Sequence, residues 1–387
     1  MNRELKSSDG NVHLYRAIVR SLQKPLSVLL TNLSAYLSPL LASPAVCTTS
    51  PITTLNPTQI HALAIATFAA ELLENFHELT YGGRINGLMD IREGLVSLVT
   101  RVVNHLVSGL KNELTQLMDV LEAPTTDLYT KNASHGKPTL IYHPSVVALQ
   151  SMMPLYVRHL TRCTAFADAQ PILATFLIST VWRAIVAIAH RPRQTHVVGI
   201  AKNRSPINTP PVTPPPSRFA IKLPPSRPTS PHVQPVIAST AADAHALFEL
   251  LCQLPRPTGE NECIRLAREA VDEAFDSLKA LGGLLDKAEI ALHEANPVFK
   301  LDHSTLDLPL LIVLPVLLQH WSRGTHRSIA DMVGLSDQEY RKVCLSGFGR
   351  AEECEAVIAR HVLGTLWDDT KVNPSVVEWI ENEILDD

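Results

Sequence analysis

Aromatic residues are scarce: Phe, Trp and Tyr together make up 5% of the 387 residues. With so few rings, the interior must be filled by Leu, Val, Ile and Ala. That suits helix-on-helix packing better than a β-sandwich, which draws on Tyr, Phe, Trp and Thr. Charge is also sparse, at 19% of residues, against about 25% in an average globular chain. No stretch alternates with period two and no repeat of 20–50 residues recurs, so neither a half-buried sheet nor a solenoid is indicated.

Chemical signatures are missing as well. The six cysteines (Cys47, Cys163, Cys252, Cys263, Cys344 and Cys354) form no CxxC pair, and the start of the chain lacks the charged, apolar, small order of a signal peptide. Free and mostly buried thiols are expected, in a reducing intracellular setting, cytoplasmic by preference. An organelle presequence is disfavoured by Glu4 and Asp9. There is no nucleophile elbow, P-loop, dinucleotide fingerprint or zinc-protease helix. Glu74 and His77 have the ExxH spacing of di-iron helices, but that chemistry needs a second such helix and two more inward carboxylates. The sixteen histidines never cluster at ligand spacing. Gly347 and Gly349 in "LSGFGR" resemble a phosphate-cradling turn only in being glycines, and a helix connection explains them equally well. No catalytic residue, metal or cofactor is therefore expected.

What the sequence does contain is helix after helix. The strongest is "LMDIREGLVSLVTRVVNHLVSGLKNELTQLMDVLEAP", where Leu95, Val99, Val102, Leu106, Leu110, Leu114, Leu117 and Leu121 recur every three or four residues. This makes an amphipathic helix of about nine turns. "TGENECIRLAREAVDEAFDSLKALGG" has a second stripe at Ile264, Val271, Phe275, Leu278 and Leu281, with Arg265–Glu269 and Arg268–Asp272 at supportive spacing. "LLDKAEIALHEA" follows as a separate short helix, before several others. The stretch from Pro171 to Ala189 is apolar nearly all round and long enough to span a bilayer. Arg183 lies inside it, at an insertion cost of about 2.5–3.5 kcal/mol. A central bundle helix with Arg183 paired is the simpler reading, and membrane association the alternative.

Two further features bear on function. Between Asp168 and Asp243 there is no acidic residue and there are eight basic ones, leaving the rest of the chain at net −12 against −4 overall. Within that run, eleven of the 28 prolines fall between Pro206 and Pro235, a density that no helix or inner strand holds. Extended, disordered chain is expected there. Ser205, Thr209, Thr213 and Ser230 each precede proline, the context of proline-directed kinases. Lys222, Pro225 and Pro228 have the spacing of an SH3 ligand, and Arg218, Ile221, Lys222 and Leu223 form a loose basic and apolar docking pattern. Phosphorylation of the four sites adds about −1.5 to −2 charges each and cancels most of the basic run.

The other feature is "HRSIADMVGLSDQEYRKVCL". Ala330, Gly334 and Val343 fall where a helix-turn-helix unit, over residues 325–346, places its packing alanine, turn glycine and second-helix core. A DNA reader would present Asp337, Gln338 and Glu339 to the groove first, leaving Arg341 and Lys342 to compensate. The S-x-x-E of Ser336 and Glu339 reads more simply as a capping box. Nucleic acid is accordingly disfavoured.

The expected architecture is all-α, with bundle-like helical lobes at residues 12–192 and 238–387 on either side of a basic Pro/Ser/Thr-rich segment, 193–237. The expected role is a non-enzymatic scaffold or adaptor subunit of an intracellular, eukaryotic multi-protein assembly. Protein partners, among them an SH3-type domain or a kinase, would meet the segment.

Overall fold

The structure, a computed structural model, describes residues 12–42, 56–80, 88–123, 142–192, 238–291, 308–321, 328–367 and 374–386. Within these the chain is all-α, as expected, and no strand occurs among the described residues. The helices are α1 (Val12–Ala42), α2 (Pro57–Thr80), α3 (Met89–Glu122), α4 (Pro144–Cys163), α5 (Gln170–Ala189), α6 (Thr240–Leu251), α7 (Glu262–Ala291), α8 (Leu310–Trp321), α9 (Ile329–Met332), α10 (Asp337–Cys344), α11 (Phe348–Leu366) and α12 (Pro374–Asp386).

Helix α3 is the hub of the first half. Its stripe is buried as the spacing requires, except that Leu117 is only half-buried and Met118 takes the inward position. Ile91, Leu98, Val103 and Val107 are buried too, because α1, α2, α4 and α5 all pack on α3. The approach of α1 depends on a missing side chain: a Cβ on Gly94 would collide with the Leu30 side chain. Gly94→Leu is therefore expected to lift α1 from α3, read as faster proteolytic cleavage within residues 12–42 while the rest of the chain stays resistant.

Helix α5 packs against α3 on one side and α7 on another, and also meets α6 and α8. Its apolar surface is spent on these contacts, and most of the Ala167–Ala189 stretch is buried inside the protein. Arg183 emerges at the edge, where its Nε and Nη2 donate to Asp119 Oδ1 of α3 at 3.0 and 2.5 Å. The guanidinium thus reaches the edge of the bundle and an interhelix ion pair from within a largely buried helix, which accounts for an arginine in an apolar run.

Helix α7 is continuous through Gly282 and Gly283, so "LLDKAEIALHEA" is not a separate helix. Local propensity favours a stop at a glycine pair. Packing overrides it, because α6 lies close enough that a Cβ on Gly282 would fall 2.9 Å from the His245 ring. The Ile264, Val271, Phe275, Leu278 and Leu281 stripe is buried. Arg265 pairs with Glu269 at 2.8 Å, but Arg268 and Asp272 do not pair. Arg268 instead donates to the carbonyls of Pro257 and Gly259, and Asp272 meets Arg256 at 3.3 Å. Tertiary partners have displaced the local one in both cases.

Helix α8 is buried along nearly its whole length. Its first backbone N–H, at Leu310, is satisfied by Glu355 of α11 at 3.0 Å. Helices on both sides of residues 193–237 contribute to a single cluster of buried apolar side chains, joined chiefly where α5 meets α7. Of the thiols expected to be mostly buried, Cys163 and Cys344 are buried and Cys354 is half-buried, whereas Cys252 and Cys263, in a turn and at a helix start, are exposed; Cys47 lies outside the described residues.

Candidate functional site: the junction beneath residues 193–237

The residues that flank the proline-rich segment meet inside the protein. Arg191 lies just after α5, and Asp243 stands in the first turn of α6. The Arg191 Nη1 donates to Asp243 Oδ2 at 2.6 Å, with the side chains 2% and 0% exposed. The other carboxylate oxygen, Oδ1, accepts the backbone N–H of His143 at 2.9 Å. His143 is in turn the N-cap of α4, where its Nδ1 accepts from the Ser145 N–H at 3.1 Å and Pro144 sets the first turn. Ser239 caps α6, its Oγ accepting the Ala242 N–H at 3.1 Å.

The buried carboxylate therefore lies where the N-terminal ends of α4 and α6 converge, and it carries a guanidinium on one oxygen. Both helix dipoles and the arginine favour negative charge at that point. Burial pushes the Asp243 carboxyl above its ordinary range, against the lowering effect of the His143 N–H and of Arg191. Burial, followed by the Arg191 charge, pushes His143 down to about 4, and the Ala123 carbonyl works the other way. His143 is thus neutral at physiological pH. Oγ of Ser145 and Nε of Arg191 are buried and make no hydrogen bond among the described residues. The arrangement closes the base of a 45-residue segment with one ion pair.

The phosphorylation candidates Ser205, Thr209, Thr213 and Ser230 lie outside the described residues, as do the docking candidates Arg218, Ile221, Lys222, Leu223, Pro225 and Pro228. Two members of the basic run are described, and both are engaged: Arg183 with Asp119 and Arg191 with Asp243. The His77 side chain also lies outside the described residues, and Glu74 is exposed. Sequence reasoning missed the junction. The available signal was that Asp243 is the first acid after the acid-free run and Arg191 stands just before the prolines.

The corner at residues 328–346 has the predicted capping box. Ser336 Oγ accepts the Glu339 N–H, and the Glu339 carboxylate accepts the Ser336 N–H. Gly334 turns the chain at φ +72° and Ala330 is buried. Val343, expected in the core, is 43% exposed, and Tyr340 and Cys344 are the buried positions of α10. The reason is tertiary: α10 packs on α11, and Arg341 is drawn onto Glu122 of α3 in a bidentate pair. Asp337, Gln338 and Glu339 form the exposed start of the helix. Trp182 of α5 secures the following turn, its Nε1 donating to the Leu345 carbonyl at 2.8 Å.

A half-buried histidine stands just past the end of α5. The His190 Nδ1 donates to the Val186 carbonyl at 3.1 Å. Burial, followed by the charge of Arg341, depresses its pKa to about 4. His159 of α4 is also lowered by burial, and its Nε2 donates to the Leu106 carbonyl. Burial pushes the thiol of Cys163, beside His159, up to about 12, where it is a poor nucleophile.

Fold and junction together define an all-helical protein whose central helices close the base of a long proline-rich segment. No protein-family model matches the chain, and neither a curated protein nor a solved structure shows significant similarity to it.

Proposed function

We propose that this protein is a non-enzymatic helical scaffold or adaptor, which presents residues 193–237 to protein partners within an intracellular assembly. The observation that carries the reading is the Arg191–Asp243 pair. It holds both ends of the segment on one packed core, so a partner bound there is tethered to the helical body at a fixed place. In this reading, phosphorylation at Ser205, Thr209, Thr213 and Ser230 regulates docking at Arg218–Leu223 and at Lys222, Pro225 and Pro228, for a kinase or an SH3-type domain.

The placement of perturbed groups supports a binding role. Two surface grooves, of about 830 and 720 Å³, border α5. His143, His159, Cys163, His190 and Tyr340, whose ionisation burial displaces, sit in helix packing and line neither groove. Converging titratable groups in a concavity are what a catalytic reading requires. The pairing of Arg341 with Glu122, and the acidic start of α10, lend no support to a DNA-reading corner. The burial of α5 likewise favours a core helix over a membrane span.

The test is affinity purification of the intact chain and of a form lacking residues 204–236, with partners and phosphosites identified by mass spectrometry. Loss of a defined partner set from the shortened form is expected. An unchanged set, with no phosphate on the segment, would reduce it to a spacer and end the proposal.

A further inference from the structure

The groove of about 720 Å³ between α3, α5, α10 and the start of α11 is lined by four cations, Lys111, Arg183, Arg341 and Lys342, and by no carboxylate. Arg183 and Arg341 are each engaged by a carboxylate of α3, Asp119 and Glu122, neither of which lines the groove. Lys111 and Lys342 are exposed and have no ion-pair partner among the described residues. The adjoining groove of about 830 Å³ shares Ile178 and Phe348 with it, but there Glu273, Asp276 and Glu352 face Lys279 and Lys287. The excess of positive charge therefore lies on one side of the Ile178–Phe348 divide.

Two further features fit the same charge. The N-terminal end of α11 reaches the groove at Gly347 and Phe348. Gly347 offers no side-chain cap and no acid occupies the first turn, so the positive helix end is not neutralised locally. One wall is aromatic, with the Trp182 and Phe348 rings 4.5 Å apart, so the groove accepts an anionic group carried on a larger, partly apolar body.

We propose that this groove binds a phosphomonoester. Two unpaired ammonium groups and a helix N-terminus provide the donors that a compact dianion requires. The source is either a phosphorylated residue of the chain's own proline-rich segment, which rests on the proposed function above, or a free small phosphorylated molecule. Geometry permits the first. Helix α5 forms a groove wall and leads directly into the segment, and Arg183 lies about 9 Å along the helix axis from its end at Ala189, at 1.5 Å per residue. Extended chain covers about 3.3–3.6 Å per residue, so Ser205, Thr209 and Thr213 all have the length to return.

The experiment is calorimetric titration of the full chain, produced without phosphorylation. The probes are a peptide of residues 205–216 phosphorylated on Thr209, its unphosphorylated twin, and inorganic phosphate. Binding of the phosphorylated peptide alone is expected, weakened about tenfold or more by Lys111→Glu and by Lys342→Glu. Lys279→Glu, an exposed change in the adjoining groove, is expected to leave the affinity unaltered. Matching thermal melts show that all three variants fold. If inorganic phosphate binds with the same lysine dependence while the peptide does not, the groove serves a free phosphorylated molecule and the own-chain source is excluded. Absence of binding by either phosphate probe, equal binding of the two peptides, or indifference to both lysine changes would overturn the proposal. Because the peptide carries its phosphate from synthesis, the result is independent of whether the segment is modified or bound by partners in cells.

Discussion

Asp243→Ala is expected to destabilise the protein by about 3–5 kcal/mol, the range for removing one partner of a buried ion pair. The size follows from what remains. Arg191 is 2% exposed, so its charge stays buried without a counter-ion, and the His143 N–H loses the acceptor that Oδ1 provided. A loss of that order is a large share of the total stability of an average domain. The companion experiment separates charge from shape. Replacing both partners with apolar residues, Arg191→Met with Asp243→Leu, is expected to recover much of the loss, because neither desolvation nor an orphaned charge then applies. Urea unfolding midpoints of the parent, the single variant and the double variant measure both effects. A single variant within about 1 kcal/mol of the parent, the value of an exposed pair, would mean that the junction is not closed as described.

Acid is expected to unfold the protein well above the carboxylate range. His143 and His190 are both held at about 4 in the folded chain, against an ordinary value near 6.5. Between those limits the unfolded chain binds more protons than the folded one, so stability falls as pH drops from about 6.5 towards 4 and is unaffected above 7. At pH 5 the loss is about 2 kcal/mol for each histidine, at about 1.4 kcal/mol per pH unit. The carboxyl of Asp243, displaced upward, acts in the opposite sense and offsets part of this at the acid end. Urea midpoints from pH 7.5 to 5 give the slope, and His190→Leu is expected to make it shallower. A flat profile across that range would show that neither histidine is buried neutral.

The stripes of α3 and α7 were legible because helical burial repeats every three to four residues and needs no distant information. The Ser336–Glu339 capping box was legible for the same reason: both partners lie within one turn. The ion pairs that position elements were not. Arg191 and Asp243 stand 52 residues apart, and Arg341 and Glu122 stand 219 apart. No spacing rule connects either pair. Where a local rule was applied, tertiary competition sometimes defeated it: Arg268 took two carbonyls instead of Asp272, and the Gly282–Gly283 pair admitted a neighbour instead of ending a helix. Val343 shows the same limit, since the register of α10 is set by where Tyr340, Cys344 and Arg341 find partners outside the motif. The candidate groove was invisible for this reason too, because its four cations come from three helices.

The junction also has a bearing on how the sequence can change over generations. Closing a chain segment at a fixed point costs entropy that rises only logarithmically with its length, about 0.6 kcal/mol for each doubling. With Arg191 and Asp243 holding the two ends together inside the core, the stretch between them can lengthen, shorten or exchange its motifs at little thermodynamic cost. The helices on either side need not move. The pair thus separates a part of the chain constrained by packing from a part free to diversify, with the border drawn by a single buried contact.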